Sequence, residues 1–205
     1  MGISSMVENA IHQALLAVFD RRSELACEVI QADEIIDKKE VHFEEECLKV
    51  LALHQPVAGD LRFIIAVLKV NNDLERMGDL AANIAERAVF LSAHPPLDVT
   101  LDMPHMAERV REMVRDSLDA ITNLDKTLAW KVIAMDDEVD AANRNAFTIL
   151  QEMIKKNSEN TERAVQLLSV SRHMERIADL ATNIAEDVVY MVEGKLIRHR
   201  TADFL

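Results

Sequence analysis

The chain has 205 residues, of which 49% are hydrophobic and 4% aromatic, with four glycines and four prolines. This composition predicts a folded globular protein and disfavours many-stranded β folds and glycine-rich nucleotide loops, which need more turn residues. The formal net charge of −13 disfavours nucleic acid as a partner, because the one basic stretch is a terminal group of Lys195, Arg198, His199 and Arg200.

The composition also predicts the compartment. Cys27 and Cys47 are too few for a disulfide framework or a cysteine metal site, and they indicate reduced thiols in a cytoplasmic chain. The first residues show no signal peptide. The apolar run Phe63–Leu68 is far shorter than the roughly 20 residues that span a bilayer. We therefore expect contact with a membrane only through partner proteins.

Apolar residues recur at helical spacing through the first half. The spacing from Val7 to Val29 predicts a first helix, followed by a break near Gln31–Asp37 and a second helix over Ile36–Leu53. Pro56 interrupts the pattern, and a third helix is predicted over Ala58–Leu91. Its buried stripe is predicted to contain Leu61, Ile64, Leu68, Leu74, Ile84 and Ala88.

The second half continues in the same way after a linker over Leu97–Met103. Pro104 suits the first turn of a fourth helix, whose predicted apolar face extends to Leu128. A break is predicted near Ala134–Asp137, then a fifth helix over Glu138–Lys156. Asn157 and Ser158 predict a turn before a sixth helix over Thr161–Glu193, which ends at Gly194.

The two halves are an internal repeat. The segment DLERMGDLAANIAE (73–86) aligns with HMERIADLATNIAE (173–186) at an offset of 100 residues. The simplest architecture is all-α, with six long helices in two tandem three-helix bundles related by a pseudo-twofold axis. We expect the first bundle to cover residues 1–96 and the second residues 104–205.

An acidic stripe recurs in both copies at spacings of four, four and three residues, which place its members on one helix face. The stripe consists of Glu75, Asp79, Asn83 and Glu86 in the first copy and of Glu175, Asp179, Asn183 and Glu186 in the second. Two aspartate pairs on the preceding hairpins are placed to approach the stripes, namely Asp33/Asp37 and Asp136/Asp140.

Carboxylates stacked one turn apart repel one another, so an arginine, a proton or a bound cation should compensate. Carboxylate and amide oxygens suit hard cations, iron and manganese. The alternative is a solvated face on which Lys69, Arg76 and Arg176 pair with the acids.

Three segments of the sequence resemble the PhoU family. They are LALHQPVAGDLR (51–62), DLERMGD (73–79) with NIAE (83–86), and the second copy MERIAD (174–179) with NIAE (183–186). The resemblance implies two three-helix bundles whose E/D-x-x-x-D motifs hold clusters of iron, zinc, manganese or magnesium. Its motif ligands correspond to Glu75/Asp79 and Glu175/Asp179, with Asp33/Asp37 and Asp136/Asp140 as supporting pairs.

The same resemblance implies a function. It indicates a cytoplasmic negative regulator of the phosphate-starvation response that links the ATPase subunit of a Pst-type phosphate transporter to a sensor histidine kinase, without catalysis of its own. The second half departs from the pattern, because it lacks a copy of the Pro-Val-Ala-Gly-Asp-Leu-Arg turn and has His173 where the first copy has Asp73.

Two other functions stay open at this point. A metal-dependent phosphoester hydrolase would need a phosphate-holding arginine, for which Arg62, Arg76 and Arg176 are candidates. A structural bundle would need only that the acids be solvated. We also expect a homodimer, since long helices leave apolar flanks.

Overall fold

The structure is a computed structural model that describes residues 2–194 and residue 197. In these residues it contains helices and no strands, which confirms the all-α prediction. The helices are α1 (Ile3–Phe19), α2 (Ser23–His54), α3 (Ala58–Ser92), α4 (Met103–Asn123), α5 (Lys126–Lys156) and α6 (Thr161–Glu193), with a 3-10 turn at Ser158–Asn160. The terminal basic group Lys195, Arg198, His199 and Arg200 lies outside the described residues.

The six helices form two three-helix bundles that lie side by side. Helices α1, α2 and α3 contact one another, as do α4, α5 and α6, and the bundles meet where α3 contacts α6 and α1 contacts α4. Lys69, early in α3, pairs with Asp187, late in α6, at 3.4 Å, so these two helices are antiparallel. The pseudo-twofold arrangement is confirmed, whereas the boundaries at residues 1–96 and 104–205 stay a prediction.

The contacts define a layer with one covered face. Its helices follow the order α2, α3, α6, α5, because α2 and α5 share no contact among the described residues. Helices α1 and α4 contact each other and their own bundle mates, so both lie on the same side of the layer. We call the other side of this layer the open face.

The core lies where α3 and α6 meet the covering helices. Met77, Ile84, Met174 and Ile177 are fully buried there. Each such side chain contributes about 1.5–3 kcal/mol of apolar burial. The predicted burial of Leu74, Ile84 and Ala88 is confirmed, and Ile64 and Leu68 are partly buried.

Leu61, which was expected in this stripe, is 41% exposed, so that prediction is wrong. Leu61 lies in the far end of the α2–α3 hairpin, where no described residue of either helix is buried. The buried residues of α2 stop at Ile36, and those of α3 begin at Ala66.

The first predicted break was misplaced. α2 runs without interruption through residues 31–37, and the real break lies at residues 20–22. Arg21 there adopts a left-handed backbone with φ 55°. Its guanidinium donates hydrogen bonds to the carbonyls of Leu91 at 2.6 Å, of Ser92 at 3.3 Å and of His94, so the turn is fixed by the end of α3. Asp33 and Asp37 consequently lie inside a long helix.

The second predicted break was misplaced in the equivalent way. α4 ends at Asn123, and α5 continues through residues 134–137. Leu124 is left-handed with φ 51°. The Asp125 carboxylate accepts hydrogen bonds from the backbone N–H groups of Thr127 and Leu128, which fixes the start of α5. Leu128 therefore belongs to α5.

Several predicted helix ends are confirmed. α3 begins at Ala58, α6 spans Thr161–Glu193, and Gly194 ends α6 with φ 70°. Asn157 caps the turn before α6 by accepting a hydrogen bond from Glu159 N–H at 2.9 Å. None of the described helices combines the length and apolarity that a bilayer-spanning segment needs.

Candidate metal centre

The acidic residues predicted as ligands lie on the open face, in the groove between neighbouring helices. In the first half, one carboxylate oxygen each of Asp33, Asp37 and Asp79 lies within 4.8 Å of the other two. Two of these residues come from the middle of α2 and one from α3. The structure therefore brings the aspartate pair to the stripe, as the sequence predicted. We call Asp33, Asp37, Glu75 and Asp79 the first carboxylate cluster.

The carboxylates of the first cluster repel one another in a partly desolvated groove. Burial, followed by the charges of Asp37 and Asp79, raises the pKa of Asp33 to about 6. Burial and the charge of Asp37 also raise the pKa of Asp79, and burial and Asp79 raise the pKa of Glu75. Asp33 Oδ1 is buried and has no hydrogen-bond partner among the described residues. Among the described residues none of the four acids forms an ion pair with an arginine, and the nearby charge of Arg76 offsets the raised pKa values of Glu75 and Asp79 only in part.

A glycine permits the close approach of the two helices. A Cβ placed at Gly78 would lie 3.3 Å from Asp33 Oδ1 and 3.3 Å from Ile36. The missing side chain lets α2 lie close to α3 where the acids face each other. The repeat carries Ala178 at the equivalent position.

The second half contains the equivalent acids, Asp136, Asp140, Glu175 and Asp179, which we call the second carboxylate cluster. Burial, then the charges of Asp179 and Asp140, raises the pKa of Asp136 to about 6. Burial also raises the pKa values of Glu175 and Asp179, with the neighbouring acids as the next contribution. As in the first cluster, burial and repulsion between carboxylates therefore raise the pKa values of the acids.

The second cluster differs in its partners. Arg144 pairs with Asp140 at 3.1 Å, and Arg172 pairs with Glu175 at 2.6 Å. In the described part of this half, no three ligand oxygens come within 4.8 Å of one another. The other carboxylate oxygen of Glu175, Oε2, is buried and has no hydrogen-bond partner within the described residues. Two of the four acids are thus engaged in ion pairs with arginines.

The two asparagines of the acidic stripes lie in the cleft between the two bundles. Asn83 and Asn183 line a cleft between α3 and α6 together with Arg76, Asp79, Arg176 and Asp179. Asn83 donates a hydrogen bond to the backbone carbonyl of Asp79 at 2.8 Å. These amides therefore lie at the seam of the two bundles.

The last acids of the stripes are placed apart from the carboxylate clusters. Glu86 pairs with Arg87 at 3.4 Å, and Glu186 is buried. Neither joins a group of three or more close ligand side chains among the residues described. Their roles as ligands, like those of the asparagines, stay predictions.

Sequence reasoning missed three residues that shape the site. Burial and Glu44 raise the pKa of Glu40, whose own charge raises that of Glu75. Arg144 and Arg172 are the other two. The signal was present in the spacing, because Asp140–Arg144 is an i,i+4 pair and Arg172–Glu175 an i,i+3 pair on one helix.

The geometry of the first cluster fits a hard cation. Three oxygens from two helices converge, and the buried Asp33 Oδ1 has no donor in the part of the chain that the structure describes. Carboxylates are preferred ligands of magnesium, manganese and iron. Protons are the competing solution, since the pKa of Asp33 lies near 6. Cation binding would draw the two helices together by replacing repulsion with shared coordination.

The protein family and the curated proteins that the sequence matches both carry the name PhoU. The family model described as PhoU domain matches residues 1–88 and 103–188. The chain is 43% identical over 198 residues to a phosphate-specific transport system accessory protein PhoU homolog of Aquifex aeolicus, covering 97% of this chain and 90% of the relative. It is 35% identical over 201 residues to a protein of the same name from Pseudomonas aeruginosa, with 97% and 83% covered.

Solved structures agree with these relatives. The crystal structure of PhoU from Pseudomonas aeruginosa superposes with a TM-score of 0.92 at 35% identity, covering 94% of this chain and 93% of that one. The phosphate transport system regulatory protein PhoU from Streptococcus pneumoniae gives a TM-score of 0.82 at 28% identity, with 95% and 91% covered.

Proposed function

The chain belongs to the PhoU family, and from that premise we propose that it is a metal-binding regulator of phosphate uptake. It acts on the cytoplasmic side of the membrane as an adaptor between the ATPase subunit of a Pst-type phosphate transporter and a sensor histidine kinase. In phosphate-rich conditions it holds the phosphate-starvation response off. Its relatives are named accessory proteins of a phosphate-specific transport system, which supports a regulatory role without catalysis.

The observation that carries the metal proposal is the convergence of Asp33, Asp37 and Asp79 within 4.8 Å, with a buried oxygen that no described residue donates to. Glu75, one turn before Asp79, completes a set of four carboxylates from two helices. The cation is magnesium, manganese, iron or zinc, with oxygen ligation favouring the first three. The second cluster binds more weakly, because Arg144 and Arg172 compete for two of its acids.

A cation at the first cluster changes how firmly α2 is held to α3. Without the cation, the acids repel one another across the groove. With it, carboxylates of both helices coordinate one ion, which stabilises the packing of α2 on α3. Since the effect is confined to the open face, the cation favours one arrangement of α2 and α3 on the surface that partner proteins contact. A bound ion can regulate an adaptor by favouring one such arrangement.

The proposal is tested by metal content and by signalling together. Purified protein is stripped with chelator and titrated with MnCl2, and binding is followed by calorimetry and by the shift in melting temperature. The variant Asp33→Asn/Asp79→Asn is compared with Asp98→Asn/Asp119→Asn, which removes the same charge from exposed positions outside the clusters.

We expect the cluster variant to lose the manganese-dependent rise in melting temperature and the control to keep it. In cells that lack their own copy of the gene, we expect the control to repress a phosphate-starvation reporter and the cluster variant to fail. Wild-type protein that binds no manganese overturns the metal proposal. A reporter that both variants repress equally overturns the coupling of metal to regulation.

A further inference from the structure

The cleft between α3 and α6 is lined by matching residues of the two halves. The described residues that line it form four pairs at the repeat offset of 100 residues, namely Arg76/Arg176, Asp79/Asp179, Leu80/Leu180 and Asn83/Asn183. The grooves within the two bundles have diverged instead, since the α2–α3 groove has Asn72 where the α5–α6 groove has Arg172. Packing explains the buried leucines of the cleft but not its exposed arginines. The matched polar residues therefore indicate a ligand that both halves contact in the same way.

The two ends of this cleft carry the same pair of donors. Because α3 and α6 are antiparallel, Arg76 and Arg176 lie toward opposite ends of the cleft. For the same reason Asn183 lies at the end that holds Arg76, and Asn83 lies at the end that holds Arg176. Each end thus offers one guanidinium group and one side-chain amide, which are both hydrogen-bond donors.

Neither arginine of the cleft is neutralised by an ion pair. Arg76 and Arg176 are exposed, and neither forms an ion pair or a hydrogen bond with another residue that the structure describes. The charge of Arg76 acts on Asp79 from a longer distance, where it partly offsets the rise in the pKa of this acid that burial and Asp37 cause. In a chain of net charge −13, the cleft therefore presents two guanidinium groups that are available to an anion.

The cleft contains acceptors as well as donors, which restricts the kind of anion. Asn83 donates one N–H to the carbonyl of Asp79 at 2.8 Å and has a second N–H for a ligand. The carboxylates of Asp79 and Asp179 can only accept when ionised. A matching ligand must accept from arginine and asparagine and donate to a carboxylate. Inorganic phosphate does both, because it keeps at least one proton at neutral pH, whereas sulfate keeps none.

We propose that inorganic phosphate binds in the α3–α6 cleft between Arg76 and Arg176. Asn83 and Asn183 are further donors to its oxygens, and the two aspartates accept hydrogen bonds from its P–OH groups. The cleft has a volume of about 420 Å³, which holds the ion together with bridging waters. The binding itself stands apart from the proposed function, but its consequence rests on it: a regulator of phosphate uptake would respond to free phosphate directly.

The phosphate site and the carboxylate clusters share residues. Asp79 belongs to the first cluster and Asp179 to the second, and both line the cleft. A cation at the first cluster reduces the negative charge that Asp79 presents to the cleft, so phosphate should bind more tightly when the cation is bound. Linkage requires the reciprocal effect, in which phosphate tightens cation binding by the same factor.

Calorimetric titration of the full chain with potassium phosphate tests the site, first in chelator and then with MgCl2, since manganese phosphate is sparingly soluble. Titration with KCl at matched ionic strength gives the background. We expect a dissociation constant in the millimolar range or below. Arg76→Gln/Arg176→Gln should weaken binding about tenfold or more, because two charge-assisted hydrogen bonds are lost. Arg22→Gln/Arg111→Gln, which removes the same charge from exposed positions outside the cleft, should bind like the wild type.

Sulfate is the matched ligand control, and it should bind at least several-fold more weakly than phosphate because it has no proton for the aspartates. Circular dichroism melting curves establish that each variant is folded.

Four results distinguish the outcomes. A wild-type chain that binds no phosphate in either condition overturns the proposal. So does equal binding of sulfate, or an arginine variant that binds phosphate as tightly as its control. Phosphate binding that depends on the two arginines but not on magnesium supports the site and counts against a cation at the first cluster, so the two proposals fail separately.

Discussion

Gly78 of α3 faces Asp33 of α2 so closely that a Cβ on the glycine would lie 3.3 Å from the carboxylate oxygen Oδ1. That oxygen is buried and without a hydrogen-bond donor in the described part of the chain. The close packing of α2 on α3 at Gly78 and the buried carboxylate oxygen of Asp33 therefore occur at the same place. The missing methyl group brings the helices together, and the approach desolvates the acid.

The variant Gly78→Ala tests this relationship. Alanine is favoured over glycine in a helix by about 1 kcal/mol, whereas its methyl group crowds Asp33 and Ile36 by a few tenths of an ångström. We expect a free energy of unfolding within about 1 kcal/mol of the wild type. Manganese affinity should fall about three- to tenfold, because Asp33 is displaced from the first cluster.

Gly59→Ala is the control for Gly78→Ala, since no other described residue comes within 4 Å of the position its Cβ would take. Calorimetric titration of both variants gives the comparison. Equal manganese affinities in the two variants would show that the close approach at Gly78 has no part in cation binding.

The metal-free protein should become more stable as the pH falls from 7.5 to about 4.5. The pKa values of Asp33 and Asp136 are raised to about 6 in the folded state, above the value of about 3.9 in an unfolded chain. The folded state therefore binds more protons between these values, and its stability declines as the pH rises through 6. Partial solvent exposure reduces the effect to about 1 kcal/mol for each group.

Urea unfolding in chelator at pH 5.0 and 7.5 measures this dependence. The variant Asp33→Asn/Asp136→Asn should lose the part of it that these two groups contribute, and the difference between the two proteins isolates that part. If the variant and the wild type show the same pH dependence, the folded-state protonation assigned to these aspartates is wrong.

The two carboxylate clusters should differ in affinity because of two arginines. Arg144→Gln/Arg172→Gln releases Asp140 and Glu175 from ion pairs of 3.1 and 2.6 Å. We expect this variant to bind manganese several-fold more tightly at its weaker site, since freed carboxylates no longer lose a counterion on binding. Lys155→Gln/Lys156→Gln, at the end of α5, removes the same charge away from the cluster.

Site-resolved calorimetry distinguishes the outcomes of this comparison. If the arginine variant binds manganese at its weaker site with unchanged affinity, the ion pairs do not set the difference between the clusters. If the lysine control gains as much affinity as the arginine variant, long-range charge sets the difference and local pairing does not.

The start of α5 depends on one side chain. The Asp125 carboxylate accepts hydrogen bonds from Thr127 N–H at 2.9 Å and Leu128 N–H at 3.1 Å. Asp125→Ala should lower the free energy of unfolding by about 1 kcal/mol, as is typical of a lost N-cap. Asp119→Ala, an exposed aspartate within α4, is the control, and chemical denaturation of both measures the cap directly. A loss no larger than that of the control would argue against the cap.

Part of this architecture could be predicted from the sequence because it follows from spacing. The offset of 100 residues between the repeats and the four-residue step from Glu75 to Asp79 fix which side chains share a helix face. Asp33 and Asp37 meet Asp79 because α2 and α3 are long antiparallel neighbours. That relationship holds even though the first break was predicted in the wrong place.

Turn conformations, the choice of ion-pair partners and the exposure of the hairpin end could not be predicted from the spacing of residue types along the sequence. Arg21 and Leu124 adopt left-handed backbones that are usually taken by glycine, and both are fixed by tertiary or capping contacts. The asymmetry between the clusters depends on which acids Arg144 and Arg172 reach, which side-chain conformation decides. Leu61 was assigned to the core because its helical phase is correct, but the buried part of α3 begins only at Ala66.

In the proposed metal centre, Asp33, Asp37 and Asp79 hold a cation between α2 and α3. The most direct test is anomalous diffraction on either side of the manganese absorption edge, from crystals grown with MnCl2. We predict a manganese peak within coordination distance of all three carboxylates. Full-occupancy carboxylates with no peak between them, turned instead toward arginine or lysine side chains, would contradict the claim.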